Sequence, residues 1–338
     1  MSVRAAAGTT ALITGTRALV SGATGFLGGH LAQVLHREGW RVRIMVHKRN
    51  RVEHLVEMGM ELVEGDLLDK ASLVRAMAGQ RLVFHTAGKV TDWGPREEYF
   101  QVNTEGTRNI LAACREAGVE RLVHMSSLTV LGLPRSGALI TEETPYAPAP
   151  RDPYSASKKA GEQIVRAEHG LGGVATTVIR SGVIWGPGDI TIVPRLVALL
   201  RRGQMILIDG GRNLLGLSHV ENLARGLILA ASAPEAAGQI YHLTDGEEIT
   251  AREAVDALAA VIGVPTAKRS LPYGAVYGIA AVIEGLARLV RRQTPPRMTR
   301  YGVRLVGCHC RYDIGKARRD LGYAPAVTFR EGIKDLTF

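Results

Sequence analysis

Short apolar runs and amphipathic stripes alternate along the first half of the chain. Arg17–Ser21, Val42–Val46, Glu61–Glu64, Leu82–His85, Arg121–Ser126 and Ala175–Arg180 read as strands. Between them, Phe26–Glu38, Val52–Met58, Ala71–Ala78, Glu98–Ala117 and Tyr154–His169 carry the period of helices, the last two stopped by Gly118 and Gly170. Strands alternating with helices predict βαβ units, right-handed crossovers and a parallel sheet. The fold class is therefore α/β, a Rossmann-type doubly wound sheet. Past residue 187 the pattern loosens. Helical stretches near Val193–Arg202, Val220–Ala231, Ala251–Val261 and Tyr273–Arg292 predict a smaller, mostly helical substrate part. The expected division is a disordered extension over 1–16, a dinucleotide-binding domain over 17–187 with elements continuing partly beyond it, and a substrate-binding part over 188–338.

One late stripe has two readings. Val276, Ile279, Ile283, Leu286 and Val290 recur at helical spacing, widened by Val282 and Leu289 and bounded by Glu284, Arg288, Arg291 and Arg292. The leading reading packs this helix on its own domain. The other lays it on a membrane surface as a peripheral contact over 273–292. No window of 18 uncharged apolar residues occurs, so no spanning helix is expected.

Composition adds bounds. Hydrophobic residues make up 46% and aromatics 5%, a mix that suits helices packed closely on a sheet. The net charge is +10, but the basic residues are scattered and no basic run interleaves with aromatics. Nucleic acid is not an expected partner. There are three cysteines: Cys114, Cys308 and Cys310. Cys308-His309-Cys310 lacks zinc-knuckle spacing and a second pair, so reduced thiols and no metal are expected. With no apolar block long enough for export near the start, the expected location is cytoplasmic, with membrane association as the variant that 273–292 would bring.

The first chemical signature is Ser21-Gly22-Ala23-Thr24-Gly25-Phe26-Leu27-Gly28, between the first strand and the first helix. Gly22 permits a tight turn, Gly25 lets the backbone approach a pyrophosphate, and Gly28 lets helix and strand pack closely. The anion would meet free N–H groups at the helix start. The second strand ends Val46-His47-Lys48-Arg49, with no carboxylate for the ribose hydroxyls and three cationic candidates for a 2′-phosphate. NADP(H) is favoured and NAD(H) is the alternative. Asp66 and Leu67 follow the third strand, where a carboxylate can accept from the adenine amino group. Ala87 and Gly88 follow the fourth and leave room for a cofactor.

The second signature is Tyr154-Ser155-Ala156-Ser157-Lys158, which sets a phenol and an ammonium on one helix face. Lys158 is expected to lower the tyrosine pKa through its charge, and each unit is worth about 1.4 kcal/mol. A tuned phenolate takes the proton of a substrate alcohol as hydride leaves, and the reverse step reduces a ketone. Ser126-Ser127 tips the preceding strand, where a hydroxyl can hold the substrate oxygen.

In this order these motifs resemble the extended short-chain dehydrogenase/reductase superfamily, which includes nucleotide-sugar epimerases and 3β-hydroxysteroid dehydrogenases. The resemblance runs from about Ala18 to the C-terminus. It is carried by the three glycines, Gly65-Asp66-Leu67, Val102-Asn103-Thr104-Glu105-Gly106-Thr107, Ser126-Ser127, Tyr154 with Lys158, and Arg180 through Trp185-Gly186-Pro187-Gly188. It implies that Ser127, three residues before Val130, is the catalytic serine. It also implies that Asn103 supports the site, that Lys158 binds the nicotinamide ribose as well, and that Ser181 to Ile184, with Val183, approach the nicotinamide. A homodimer is usual in the superfamily and is expected here. Ser21, Ser181 and Gly88 depart from the family's usual threonine, proline and alanine; none touches the proton transfer.

The second half is most similar to the hydroxysteroid and sterol branch and to 3-oxoacid reductases built like it. An apolar alcohol or ketone is the expected substrate, with Trp93, Trp185 and Arg195 as candidate contacts. Nucleotide-sugar epimerase or dehydratase is the first alternative, because Arg195, Arg201, Arg202 and Arg212 could clamp a diphosphate. A cofactor-binding sensor or assembly factor without turnover is the second.

Overall fold

The computed structural model describes residues 15–47 and 52–337. Lys48 and Arg49, two of the expected 2′-phosphate ligands, and nearly all of the expected extension over 1–16 lie outside the described residues.

Among the described residues, seven strands form the central sheet: β1 (Arg17–Ser21), β2 (Arg41–Val46), β3 (Glu61–Glu64), β4 (Leu82–His85), β5 (Arg121–Ser127), β6 (Ala175–Ser181) and β7 (Ile240–Leu243). Their order is β3-β2-β1-β4-β5-β6-β7, and every pairing is parallel. Parallel strands need crossovers, and the helices supply them. Those of two turns or more are α1 (Phe26–Arg37), α2 (Lys70–Met77), α3 (Gly106–Glu116), α4 (Pro153–Ala167), α5 (Val193–Arg201), α6 (Val220–Ser232), α7 (Ala251–Val261), α8 (Tyr273–Leu289) and α9 (Arg300–Gly307).

Helices on both faces bury both faces of the strands, which explains the continuous apolar runs. On one face Leu27, Leu31 and Leu35 of α1 and Leu223 and Leu227 of α6 pack on Val20, Ile44 and Phe84. On the other, Leu73 of α2, Ile110 of α3 and Val165 of α4 pack on Leu19, Val83 and Leu122. Each such side chain contributes about 1.5–3 kcal/mol by leaving water. A third core joins Val197 of α5, Leu258 of α7, Trp185 and Phe329.

Two segments beyond residue 187 return to the sheet: β7 pairs with β6, and α6 shares the core of α1. The stretch expected as one helix over Glu98–Ala117 is a helical run with a π-type turn at Gln101–Glu105 inside it. There the Asn103 side chain leaves the helix surface for partners on two other segments. Such turns recur where side chains are re-aimed at functional sites.

Candidate active site

Strand order reverses between β1 and β4, and the crevice beyond their carboxyl ends is where an open α/β sheet binds ligands. A cavity of about 720 Å³ opens there. Gly22 turns the chain after β1 with φ +76°; a Cβ at that position would sit 2.8 Å from the Ala87 backbone. A Cβ on Gly28 would lie 2.3 Å from the Gly22 carbonyl oxygen. No larger side chain fits either place. Helix α1 starts at Gly25 without a side-chain cap and without an acid in its first turn. Its leading N–H groups and dipole therefore face the cavity free for an anion.

Among the described residues, Gly22, Thr24, Gly25, Phe26, Leu27 and Gly28 line this cavity, with His47, Asp66, Leu67, Ala87 and Gly88. Asp66 accepts from the Leu68 amide at 2.9 Å and faces His47 at 3.6 Å. The shape and the donors fit a dinucleotide. A nicotinamide held there would supply or take a hydride.

Farther along the same cavity lie Ser126, Ser127, Tyr154, Lys158, Ser181 and Val183. Helix α4 presents Tyr154 and Lys158 one turn apart. Asp152 starts the helix by accepting from the Ser155 amide at 2.7 Å, and Pro153 fixes its first turn. Lys158 donates to the Met125 carbonyl of β5, and a Cβ on Gly88 would stand 3.9 Å from its Nζ. Burial depresses the Lys158 ammonium to about 8, with Glu162 opposing. Burial also pushes the Tyr154 phenol up to about 12, and hydrogen bonding with Ser127 pulls the other way. The expected lowering of Tyr154 by Lys158 is not found: burial dominates, Asp152 adds to it, and the downward pull comes from Ser127. The phenol is held protonated, ready to donate.

The two serines part company here. Ser126 donates to the Glu162 carboxylate, which also takes Arg180 Nη2 at 2.6 Å and the Tyr146 hydroxyl at 2.8 Å. Ser127 caps the turn after β5 and meets the Thr129 hydroxyl at 3.0 Å. Asn103 stands behind the cavity. It accepts from the Lys89 amide at 2.7 Å and donates to Ser157 Oγ at 3.0 Å, tying the π-type turn to α4.

Three expected substrate contacts are not brought to the cavity wall. Trp185 is buried, donates to Asp245 at 2.8 Å and packs on His219 and Phe329. Trp93 donates to the Arg292 carbonyl at 2.9 Å, near the end of α8. Arg195 is exposed and faces Asp92 at 3.6 Å. The wall beyond Tyr154 is instead built by Val90, Leu133, Ile190, Ile192, Tyr301 and Leu305. Tyr301 meets Tyr154 edge to face, with ring centres 5.9 Å apart. Nothing local in the sequence marks Tyr301, which lies 147 residues from Tyr154 and reaches it only through the position of α9.

A Rossmann sheet carrying a glycine turn and a serine–tyrosine–lysine cluster in one cavity defines the class, and the family model described as NAD dependent epimerase/dehydratase family matches residues 18–243. The chain belongs to that family, and it is an NAD(P)-dependent oxidoreductase interconverting an alcohol and a ketone. A 2-alkyl-3-oxoalkanoate reductase of Stenotrophomonas maltophilia (strain K279a) is 36% identical over 94% of this chain and 97% of its own. A decarboxylating sterol-4-alpha-carboxylate 3-dehydrogenase of Mus musculus is 32% identical over 93% and 88%. A double-mutant dTDP-glucose 4,6-dehydratase of Streptomyces venezuelae, solved with NAD bound, superposes with a TM-score of 0.75 at 26% identity over 95% of each chain.

Proposed function

We propose that the protein reduces a ketone on an apolar substrate of the 3-oxoacyl or 3-oxosteroid kind. The observation that carries this reading is the wall beyond Tyr154. It is mostly aliphatic and aromatic, with no charged side chain among the residues named there, and among the described residues no arginine lines the cavity. A nucleotide sugar brings a diphosphate, and Arg195, Arg201, Arg202 and Arg212 all lie off the wall. Tyr154 gives its proton to the carbonyl oxygen as hydride arrives at the carbon. Ser127 donates a hydrogen bond to the same oxygen and steadies the charge that develops there. Lys158 holds the ribose beside them and keeps positive charge near the phenol. The names of two relatives, a 3-oxoalkanoate reductase and a sterol 3-dehydrogenase, point to the same chemistry.

NADPH is the proposed donor. Support comes from the end of β2, which offers His47 and no carboxylate of its own. The test is nicotinamide absorbance with both cofactors against a panel of 2-alkyl-3-oxoacids, 3-oxosteroids, sterols and nucleotide sugars. Turnover of nucleotide sugars alone would sink the substrate reading, and a preference for NADH would sink the cofactor reading.

Helix α8 supports a peripheral membrane contact. Val276, Ala280 and Ala287 face inward, whereas Val282, Leu286, Leu289 and Val290 are 59–79% exposed, beside Arg288, Arg291 and Arg292. Co-sedimentation with anionic vesicles, lost on Val282→Asp with Leu286→Asp, is the expected result. No helix among the described residues is long and apolar enough to cross a membrane. The proposed homodimer is checked by light scattering.

A further inference from the structure

Two thiols occupy the substrate end of the cavity, and the proton relay uses neither. Cys308 ends α9, and Cys310 precedes the short strand Arg311–Tyr312. Their sulfur atoms lie 3.2 Å apart, and both residues line the cavity with Tyr301 and Tyr312. The backbone between them is clamped. Asn213 donates to the Cys308 carbonyl at 2.9 Å, the His309 amide to Pro134 at 3.0 Å, and the Cys310 amide to Leu214 at 3.3 Å. The His309 ring lies against Gly137, where an added Cβ would meet it at 2.8 Å. Among the described residues no third ligand completes a metal site around the sulfurs.

The two thiols are not equivalent. The hydrogen bond the pair shares lowers the Cys310 thiol against its burial, and the Tyr312 hydroxyl helps. The same hydrogen bond, with burial, pushes Cys308 up. Cys310 is therefore the sulfur that reaches the reactive thiolate form. Cys114 is buried in the core beneath the sheet, where desolvation lifts it to about 12. It serves as an unreactive internal control.

We propose that Cys308 and Cys310 form an oxidisable pair that closes to a disulfide with a peroxide and restricts the substrate end of the cavity. The Cys310 thiolate attacks a peroxide oxygen. The S–O bond forms, the O–O bond breaks, and the departing oxide takes a proton from water. The Cys308 sulfur then attacks the sulfenic sulfur. The S–S bond forms, the S–O bond breaks, and the hydroxide leaves as water with the Cys308 proton. Two electrons pass from the thiol pair to the peroxide. Closure removes the Cys310 thiolate that Tyr312 stabilises, and contracting the 3.2 Å separation to a bond draws in the end of α9, two turns from Tyr301. A displacement of about 1 Å at a reacting centre costs up to about 10²-fold, so a fall of about tenfold in kcat/KM for the ketone is expected.

The experiment treats the whole protein with hydrogen peroxide, alkylates the remaining thiols after unfolding, and maps the peptide Leu305–Arg311. Its mass is expected to fall by two hydrogens, with Cys114 as the one labelled thiol and recovery on adding dithiothreitol. In Cys308→Ser, peroxide leaves a trappable sulfenic acid on Cys310 and no disulfide. Three labelled thiols, a disulfide between two chains, or direct passage of Cys310 to sulfinic acid overturns the proposal. The wild-type map decides this even if the variant fails to fold. The disulfide itself does not depend on the substrate reading. The loss of ketone turnover does, and a closed disulfide with unchanged kcat/KM overturns that half.

Discussion

Glu162→Ala tests how the catalytic helix is fixed to the sheet. The Glu162 side chain is 0% exposed and its partner Arg180 is 2% exposed. The carboxylate accepts from Arg180 Nε and Nη2, from Tyr146 and from Ser126, which adjoins Ser127 at the tip of β5. Removing it leaves a guanidinium in the core with His242 as its remaining side-chain hydrogen-bond partner, at 3.4 Å. A buried charge stripped of its partner costs about 3–5 kcal/mol. At about 2.1 cal/mol/K per residue, 338 residues give an unfolding entropy near 0.7 kcal/mol/K, so the melting temperature is expected to fall by about 4–7 °C. Circular dichroism melts and urea titrations read this directly. The double variant Glu162→Leu with Arg180→Met removes both charges, and most of the loss is expected to return. A single variant that melts within about 1 °C of the parent would show that Glu162 does not fix the helix, as would a double variant no better than the single.

Tyr154→Phe is expected to lower kcat by about 10²–10⁴-fold while cofactor quenching of protein fluorescence stays unchanged; retained turnover would remove the phenol from the mechanism. Gly28→Ala pushes a methyl group into the Gly22 carbonyl, so a loss of about 1–3 kcal/mol in urea stability and weaker cofactor binding are expected. Burial holds His85 and His242 neutral, each lowered to about 3, and His124 well below its ordinary value. The unfolded chain binds these protons near pH 6.5 and the native protein does not, so their stabilisation is full above about 6.5 and drains away toward pH 3, by up to about 1.4 kcal/mol per unit per histidine. Urea midpoints from pH 7.5 to 5 check the slope, which His124→Phe is expected to reduce. The Lys158 ammonium, lowered to about 8 by burial, is lost above that pH in the free protein, and cofactor affinity measured by calorimetry is expected to weaken there.

The parts of the site that are legible in the sequence are those built from neighbouring residues. The glycine turn and the Tyr154–Lys158 face need a single strand–helix junction or one helical turn, so spacing alone places them. Trp185 illustrates the limit. An indole beside a Gly-Pro-Gly turn reads as a cavity residue, yet Asp245 on a distant segment supplies a buried acceptor and turns it inward. Tyr301 is the converse case, set against Tyr154 by α9 alone. The stripe of α8 was legible as amphipathic, but which side packs depended on where the domain ended. Val276 and Ala280 face the core with Glu284, whose carboxylate takes the Arg300 amide at 2.6 Å. The charge expected to bound the stripe is thus part of its packed side.

The return of residues beyond 187 to the sheet has a consequence for synthesis. A nascent chain that has emerged to residue 187 carries six of the seven strands but neither β7 nor α6. The face of β1 and β4 covered by α1 also waits for Ile314, Leu321 and Tyr323, which close the same core. The cofactor half is therefore expected to complete its core only with the rest of the chain, unlike an N-terminal domain that folds as a unit. Until then part of the apolar surface of the sheet lacks the segments that cover it.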